Sequence, residues 1–206
     1  MNFEAKRREM VDALTARETL SERTAAAMQG VPRHEFVPEA RREYAYVDRP
    51  LPIGEGQTIS APHMVAIMTE LLELSPGTTV LEIGTGCGYH AAVTAEVVGA
   101  ENVYTVEYHE RLAETARETL ARTSYGDVSV RVGDGREGWP EHAPYDRAYL
   151  TCAASDFPEQ IVEQVRAGGL VLGPLGDTTQ VLVRATNAET RLQRERHSRV
   201  RFVPLK

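Results

Sequence analysis

Three glycines on alternate positions, Gly84, Gly86 and Gly88, follow an apolar run that carries one acid, Glu82 (VLEIGTGCGY, 80–89). Glycine has no Cβ and tolerates positive φ, so this spacing lets a buried strand turn sharply into a helix while its backbone stays bare. A nucleoside-bearing ligand can then lie directly against Gly84, Thr85, Gly86, Cys87 and Gly88. Glu107, nineteen residues past Gly88, stands where a second strand should end, and an acid there can accept from ribose hydroxyls. Asp134, between Gly133 and Gly135, ends a third strand and can accept from an adenine amino group.

Two kinds of cofactor compete for such a loop. The dinucleotide fingerprint wants glycine where this chain has Tyr89, and its helix N-terminus receives a pyrophosphate. Here an acid, Glu82, precedes the first glycine by two residues and faces the loop. That suits a ligand carrying an ammonium and a sulfonium, and S-adenosylmethionine, with S-adenosylhomocysteine as its product, fits the description. A P-loop is excluded because no Gly-Lys-Ser/Thr follows.

Ser60 is the candidate for handling the acceptor. The run Ser60, Ala61, Pro62, His63 opens a helix, with serine suited to the N-cap and Pro62 to the first turn. A hydroxyl at a helix N-terminus also donates to an anion. Spacing alone leaves both readings, cap and positioning group, open. His63 has three readings: metal ligand, base, or first-turn residue against the donor. No second histidine lies at ligand spacing, so no metal site is expected.

These residues need a scaffold. The first forty positions read as helices, with a stripe of Met10, Val11 and Leu14 and with Ser21 capping a helix that Gly30, Val31 and Pro32 end. Residues 44–56 hold two prolines and two glycines and read as an irregular, exposed loop. The helix after Ser60 should bury Met64, Val65, Met68, Leu71 and Leu72. From 78 onward strands (79–83, 103–107, 128–132, 145–151, 170–173) alternate with helices (89–98, 110–122, 158–166). This is the pattern of a parallel, doubly wound α/β sheet. Two more strands, 180–185 and 199–203, follow around a polar turn. At 206 residues the chain reads as one domain, with 1–77 a helical and substrate-loop region and 78–206 the core and its C-terminal strands.

Composition narrows the partners. The chain is 42% hydrophobic and carries a net charge of −7, and its basic residues form no run longer than Lys6, Arg7 and Arg8, so no nucleic-acid partner is expected. No apolar stretch reaches the ~20 residues that cross a bilayer. The charged N-terminus does not resemble a secretory leader, so the reading is a cytoplasmic protein without a membrane partner. Two cysteines, Cys87 and Cys152, make no disulfide framework.

Several segments together resemble the protein-L-isoaspartate (D-aspartate) O-methyltransferase family. They are 31–38 (VPRHEFVP), 49–64 (RPLPIGEGQTISAPHM), the Glu82 loop, 133–140 (GDGREGWP), 144–146, 168–174 (GGLVLGP) and 200–205 (VRFVPL). The resemblance covers nearly the whole chain, and the TISAPHM run is highly specific. It implies a class I S-adenosylmethionine-dependent, Rossmann-like fold in which Gln57, Thr58, Ile59 and His63 join Glu82, the glycine loop, Glu107, Asp134 and Gly135 in holding the donor. It implies methylation of the free α-carboxylate of isoaspartyl residues in damaged proteins and peptides, by an enzyme expected to be monomeric. The ester then cyclises to a succinimide that hydrolyses partly to normal aspartate. Departures are small: Cys87 stands where serine is frequent, and TCAAS (151–155) where alanines are frequent. Base-methylating relatives use an Asn/Asp-Pro-Pro-Tyr/Phe segment that is not found here.

Overall fold

The computed structural model describes residues 2–188 and 191–206. Two helices open the chain, α1 (Phe3–Arg17) and α2 (Glu22–Gly30), capped by the side chains of Asn2 and Ser21, which accept from the N–H groups of Ala5 and Thr24. Helix α1 buries Met10, Val11 and Leu14, the expected stripe. A hairpin, β1 (Leu51–Gly54) and β2 (Gln57–Ile59), leads into α3 (Pro62–Leu71).

The core alternates β3 (Val80–Ile83), α4 (Tyr89–Val98), β4 (Val103–Glu107), α5 (Glu110–Arg122), β5 (Ser129–Val132), β6 (Tyr145–Leu150), α6 (Glu159–Glu163) and β7 (Val165–Leu175), then β8 (Gln180–Asn187) and β9 (Leu192–Val200). The seven strands β3 to β9 form one sheet in the order β5-β4-β3-β6-β7-β8-β9. Neighbours from β5 to β7 are parallel, and β8 and β9 are antiparallel. The chain leaves β3 toward β4 on one side and returns to β6 on the other, so β3 is where the order reverses. Ligands sit at the carboxyl ends of strands at such a point.

One apolar cluster joins the two regions. Leu14, Met28 and Phe36 belong to the same buried core as Tyr89 and Val93 of α4, and the Phe36 and Tyr89 rings meet edge to face with centroids 5.7 Å apart. No helix among the described residues is long and apolar enough to cross a membrane.

Several boundaries differ from the sequence reading. Residues 44–56 are not a wholly irregular, exposed loop: Leu51 and Ile59 pair across the hairpin and are both buried, and Gly54, Glu55 and Gly56 all take positive φ at its turn. The helix expected over 158–166 stops at Glu163, because Val165 already pairs with Tyr145 and the Gln164 carbonyl accepts from Tyr145 N–H. The strand expected at 170–173 is part of the longer β7. The last strand lies at Leu192–Val200 rather than 199–203, an edge strand exposed along most of its length whose charged residues carry no apolar alternation to betray it. Part of the polar turn expected before it, residues 189–190, lies outside the described residues.

Candidate active site

The loop after β3 needs its glycines. Gly84, Gly86 and Gly88 have φ of 96°, 56° and 86°. A Cβ on Gly84 would run into Thr151 Oγ1, and one on Gly88 would stand 3.2 Å from Leu120. Glu107, at the end of β4, fastens this loop: its Oε2 accepts the Gly86 N–H at 2.8 Å and its Oε1 accepts the His109 N–H at 2.9 Å. Each carboxylate oxygen keeps a lone pair for a ligand hydroxyl.

Glu82 is fully buried on β3. Thr105 donates to its Oε2 at 2.6 Å and Tyr149 to its Oε1 at 2.8 Å. Burial pushes its pKa up to about 8 against the pull of these two hydroxyls. His90, on the first turn of α4, is also buried, and burial pushes its pKa down to about 3, so it is neutral. The Thr69 hydroxyl donates to the Val65 carbonyl at 2.8 Å, so at 3.3 Å it can only accept from His90 Nε2–H. His90 Nδ1 is therefore a buried acceptor, and it has no partner among the described residues.

These groups line one cleft of about 760 Å³, counting the solvent at its open mouth. Of the expected residues, Gln57, Thr58, Ile59, Ser60, Glu82, Gly84, Thr85, Gly86, Cys87, Glu107 and Gly135 border it. Gly88, His63 and Asp134 do not. Gly88 packs instead against α5. His63 turns its ring to Asp48, with Nδ1 2.8 Å from Oδ1, and its N–H donates to the same oxygen. Asp134 accepts from Arg136 N–H and Nε, capping the short 3₁₀ turn Gly135–Glu137.

Ser60 does not cap α3. The N-cap is Ala61, one residue later, because Pro62 takes the first helical position. The Ser60 hydroxyl makes no hydrogen bond among the described residues, while its carbonyl accepts from Arg33 Nη2 at 2.7 Å. Cys87 is a buried thiol pushed up to about 11, chiefly by desolvation.

The sequence reading missed several wall residues: Tyr108, His109, Thr151, His90 and the segment 203–206. Tyr108 stands 55% exposed beside Glu107 in the cleft wall. The C-terminal segment is tied down by Ala153, which donates to the Val203 carbonyl and accepts from Leu205 N–H, both at 2.8 Å. The VRFVPL match carried the only signal for it. Among the described residues no cluster of three or more His, Cys, Asp or Glu could hold a metal.

A bare glycine cradle and acids at the ends of β3 and β4 suit a nucleoside that carries an ammonium. Together with the reversal of the sheet at β3 they define a class I S-adenosylmethionine-dependent methyltransferase.

The comparisons narrow the class. The protein-L-isoaspartate(D-aspartate) O-methyltransferase family profile matches residues 5–206. Protein-L-isoaspartate O-methyltransferase 1 of Archaeoglobus fulgidus is 52% identical over 206 residues, spanning 100% of this chain and 95% of its own. The Methanopyrus kandleri protein-L-isoaspartate O-methyltransferase is 54% identical over 190 residues, 90% of this chain and 84% of its own. Among solved structures, a protein-L-isoaspartate O-methyltransferase superposes with a TM-score of 0.88 at 30% identity, covering 96% of this chain and 65% of the other. A Plasmodium falciparum structure described as such an enzyme in complex with S-adenosyl-L-homocysteine gives 0.83 at 25% identity, with 97% and 98% covered. The chain belongs to the protein-L-isoaspartate(D-aspartate) O-methyltransferase family.

Proposed function

We propose that the cleft transfers the methyl group of S-adenosylmethionine to the free α-carboxylate of an L-isoaspartyl residue, with Ser60 orienting the acceptor. The observation that carries this division of labour is the free Ser60 hydroxyl in the wall of the same cleft that the glycine loop, held by Glu107, also lines.

When bound, the donor supplies an electrophilic methyl on a sulfonium. The acceptor carboxylate is ionised at neutral pH, since its pKa lies near ~4, so no general base is needed. One carboxylate oxygen forms the new bond to the methyl carbon as the carbon–sulfur bond breaks, and that electron pair stays on sulfur as a neutral thioether. Ser60 donates to the carboxylate and aims it, and the walls from Gln57–Ile59 and 203–205 exclude water. Positioning and exclusion of this kind account for about 7–11 kcal/mol in favourable cases. The ester leaves and closes to a succinimide without further help.

On the donor side Glu82, Thr85, Gly86, Cys87, Glu107 and Gly135 hold the nucleoside and its methionine chain, and His90 Nδ1 accepts from the ammonium. For Gly88, His63 and Asp134 the role is indirect: Gly88 sets the turn, His63 fixes α3 to Asp48, and Asp134 holds the Gly135 turn. The 1–77 region and the core act as one methyltransferase unit, supported by their shared apolar cluster. The protein works as a cytoplasmic monomer on damaged proteins and peptides, and its net charge of −7 speaks against nucleic acid.

Calorimetric titration with S-adenosylhomocysteine tests the donor half. One site per chain is expected, and no heat at any salt concentration would contradict it.

A further inference from the structure

Arg33 is a completely buried guanidinium with no acidic partner. Its Nε donates to the Ala45 carbonyl at 2.8 Å and its Nη2 to the Ser60 carbonyl at 2.7 Å, while Nη1 has no partner among the described residues. Its Cζ lies 4.7 Å from the centre of the Tyr89 ring. It forms no ion pair among the described residues, although ten other arginines do. Burial lowers its pKa, yet a guanidinium starts so high that it stays charged.

A charge taken out of water without a counter-ion is costly, and two carbonyls and an aromatic face offset that cost only in part. The position of this charge is informative. Two of its neighbours, Ser60 and Tyr89, line the cleft, so it stands directly behind the wall that carries Ser60. The acids Glu82 and Glu107 line the same cleft. Arg33 thus supplies fixed positive charge behind the cleft wall that carries Ser60. In a low-dielectric wall such a field reaches several ångströms and is little screened by salt.

We propose that Arg33 is the positioning residue of the acceptor site: it fixes Ser60 through its carbonyl, and its uncompensated charge is completed by the acceptor's carboxylate. This rests on the reading that the acceptor is an isoaspartyl carboxylate. It also gives an acidic protein the local positive potential that binding an anion requires.

The test compares an isoaspartyl peptide with the same peptide bearing a neutral α-carboxamide, both measured as competitors for binding to the protein holding S-adenosylhomocysteine. The wild type should prefer the carboxylate by roughly tenfold or more. Arg33→Met should bring that preference close to parity while affinity for S-adenosylhomocysteine changes less than about threefold, and Arg33→Lys should restore part of it. A merely structural arginine would weaken both peptides alike. Equal binding of the two peptides by the wild type overturns the proposal, as does an Arg33→Met protein that keeps the preference. If Arg33→Met does not fold, the wild-type and Arg33→Lys ratios still decide: loss of preference in Arg33→Lys with donor-product binding intact also overturns it. Failure of the wild type to methylate the isoaspartyl peptide at all would instead count against the reaction assigned above.

Discussion

The Tyr149 hydroxyl donates to Glu82 Oε1 at 2.8 Å, so a side chain from β6 satisfies half of a carboxyl buried on β3. With Thr105 on the other oxygen, each Glu82 oxygen has one hydroxyl partner, and burial still holds the carboxyl at about 8, from an ordinary 4.5. The sign follows from linkage. The fold prefers protonated Glu82, so its contribution to the ligand-free protein is fully present below pH ~4.5 and lost as pH rises through about 8. His90, held near 3 from 6.5, works the opposite way: its contribution is present above pH ~6.5 and lost as pH falls toward 3. Across the window from about pH 6.5 to 8, Glu82 therefore lowers stability as pH rises. Unfolding by denaturant should show stability falling across that window by on the order of 2 kcal/mol, and Glu82→Gln should flatten it. A wild-type protein that gains stability there would contradict the burial argument.

Donor binding should release a proton. A ligand carrying positive charge favours ionised Glu82, which is largely protonated near pH 7 in the free protein. The calorimetric enthalpy of S-adenosylmethionine binding should therefore vary with the buffer's own ionisation enthalpy. In Glu82→Gln this dependence should vanish. A buffer-independent heat in the wild type would mean that Glu82 does not respond to the donor.

Ser60→Ala should separate activity from stability. Ala61 is the cap of α3 and the Ser60 hydroxyl holds nothing in the fold, so stability should change by less than about 0.5 kcal/mol. Turnover on an isoaspartyl peptide should fall by about a hundredfold or more, the scale of losing one donor to a developing anion. Unchanged turnover would remove Ser60 from the chemistry.

Gly84→Ala adds a methyl at φ 96°, directly against Thr151 Oγ1. Strain of this kind costs about 1–3 kcal/mol. The variant should melt lower and lose S-adenosylhomocysteine affinity. Normal affinity would show that the loop can relax and that its bare backbone is not required.

Cys87 looks reactive in the glycine loop but is buried and held at about 11, which leaves almost no thiolate at neutral pH. Alkylation of the native protein should be slow and should accelerate on unfolding. Rapid labelling at pH ~7 would contradict this.

The alternation of apolar runs and glycine-marked turns made the core legible: α4 and α5 fall where periodicity put them, and β3, β4 and β5 fall within a residue of it. Glu82, Glu107 and the glycines were legible because strand ends converge by topology. What sequence could not supply is side-chain direction. The Ser60 cap failed by one residue because Pro62 fixes the first turn of the helix, and His63 and Asp134 found nearer partners in Asp48 and Arg136. Arg33 was invisible as a charge because nothing in VPRHEFVP says that its guanidinium is buried. His90 and Tyr149 read as helix and strand interior, and only their hydrogen bonds disclose a polar path.

The most direct test of the account is transfer of a radiolabelled methyl group from S-adenosylmethionine to an isoaspartyl peptide and to its normal aspartyl twin. The expected result is base-labile label on the isoaspartyl peptide alone, followed by its loss as the succinimide forms. Label on both peptides, or on neither while S-adenosylhomocysteine still binds, would contradict it.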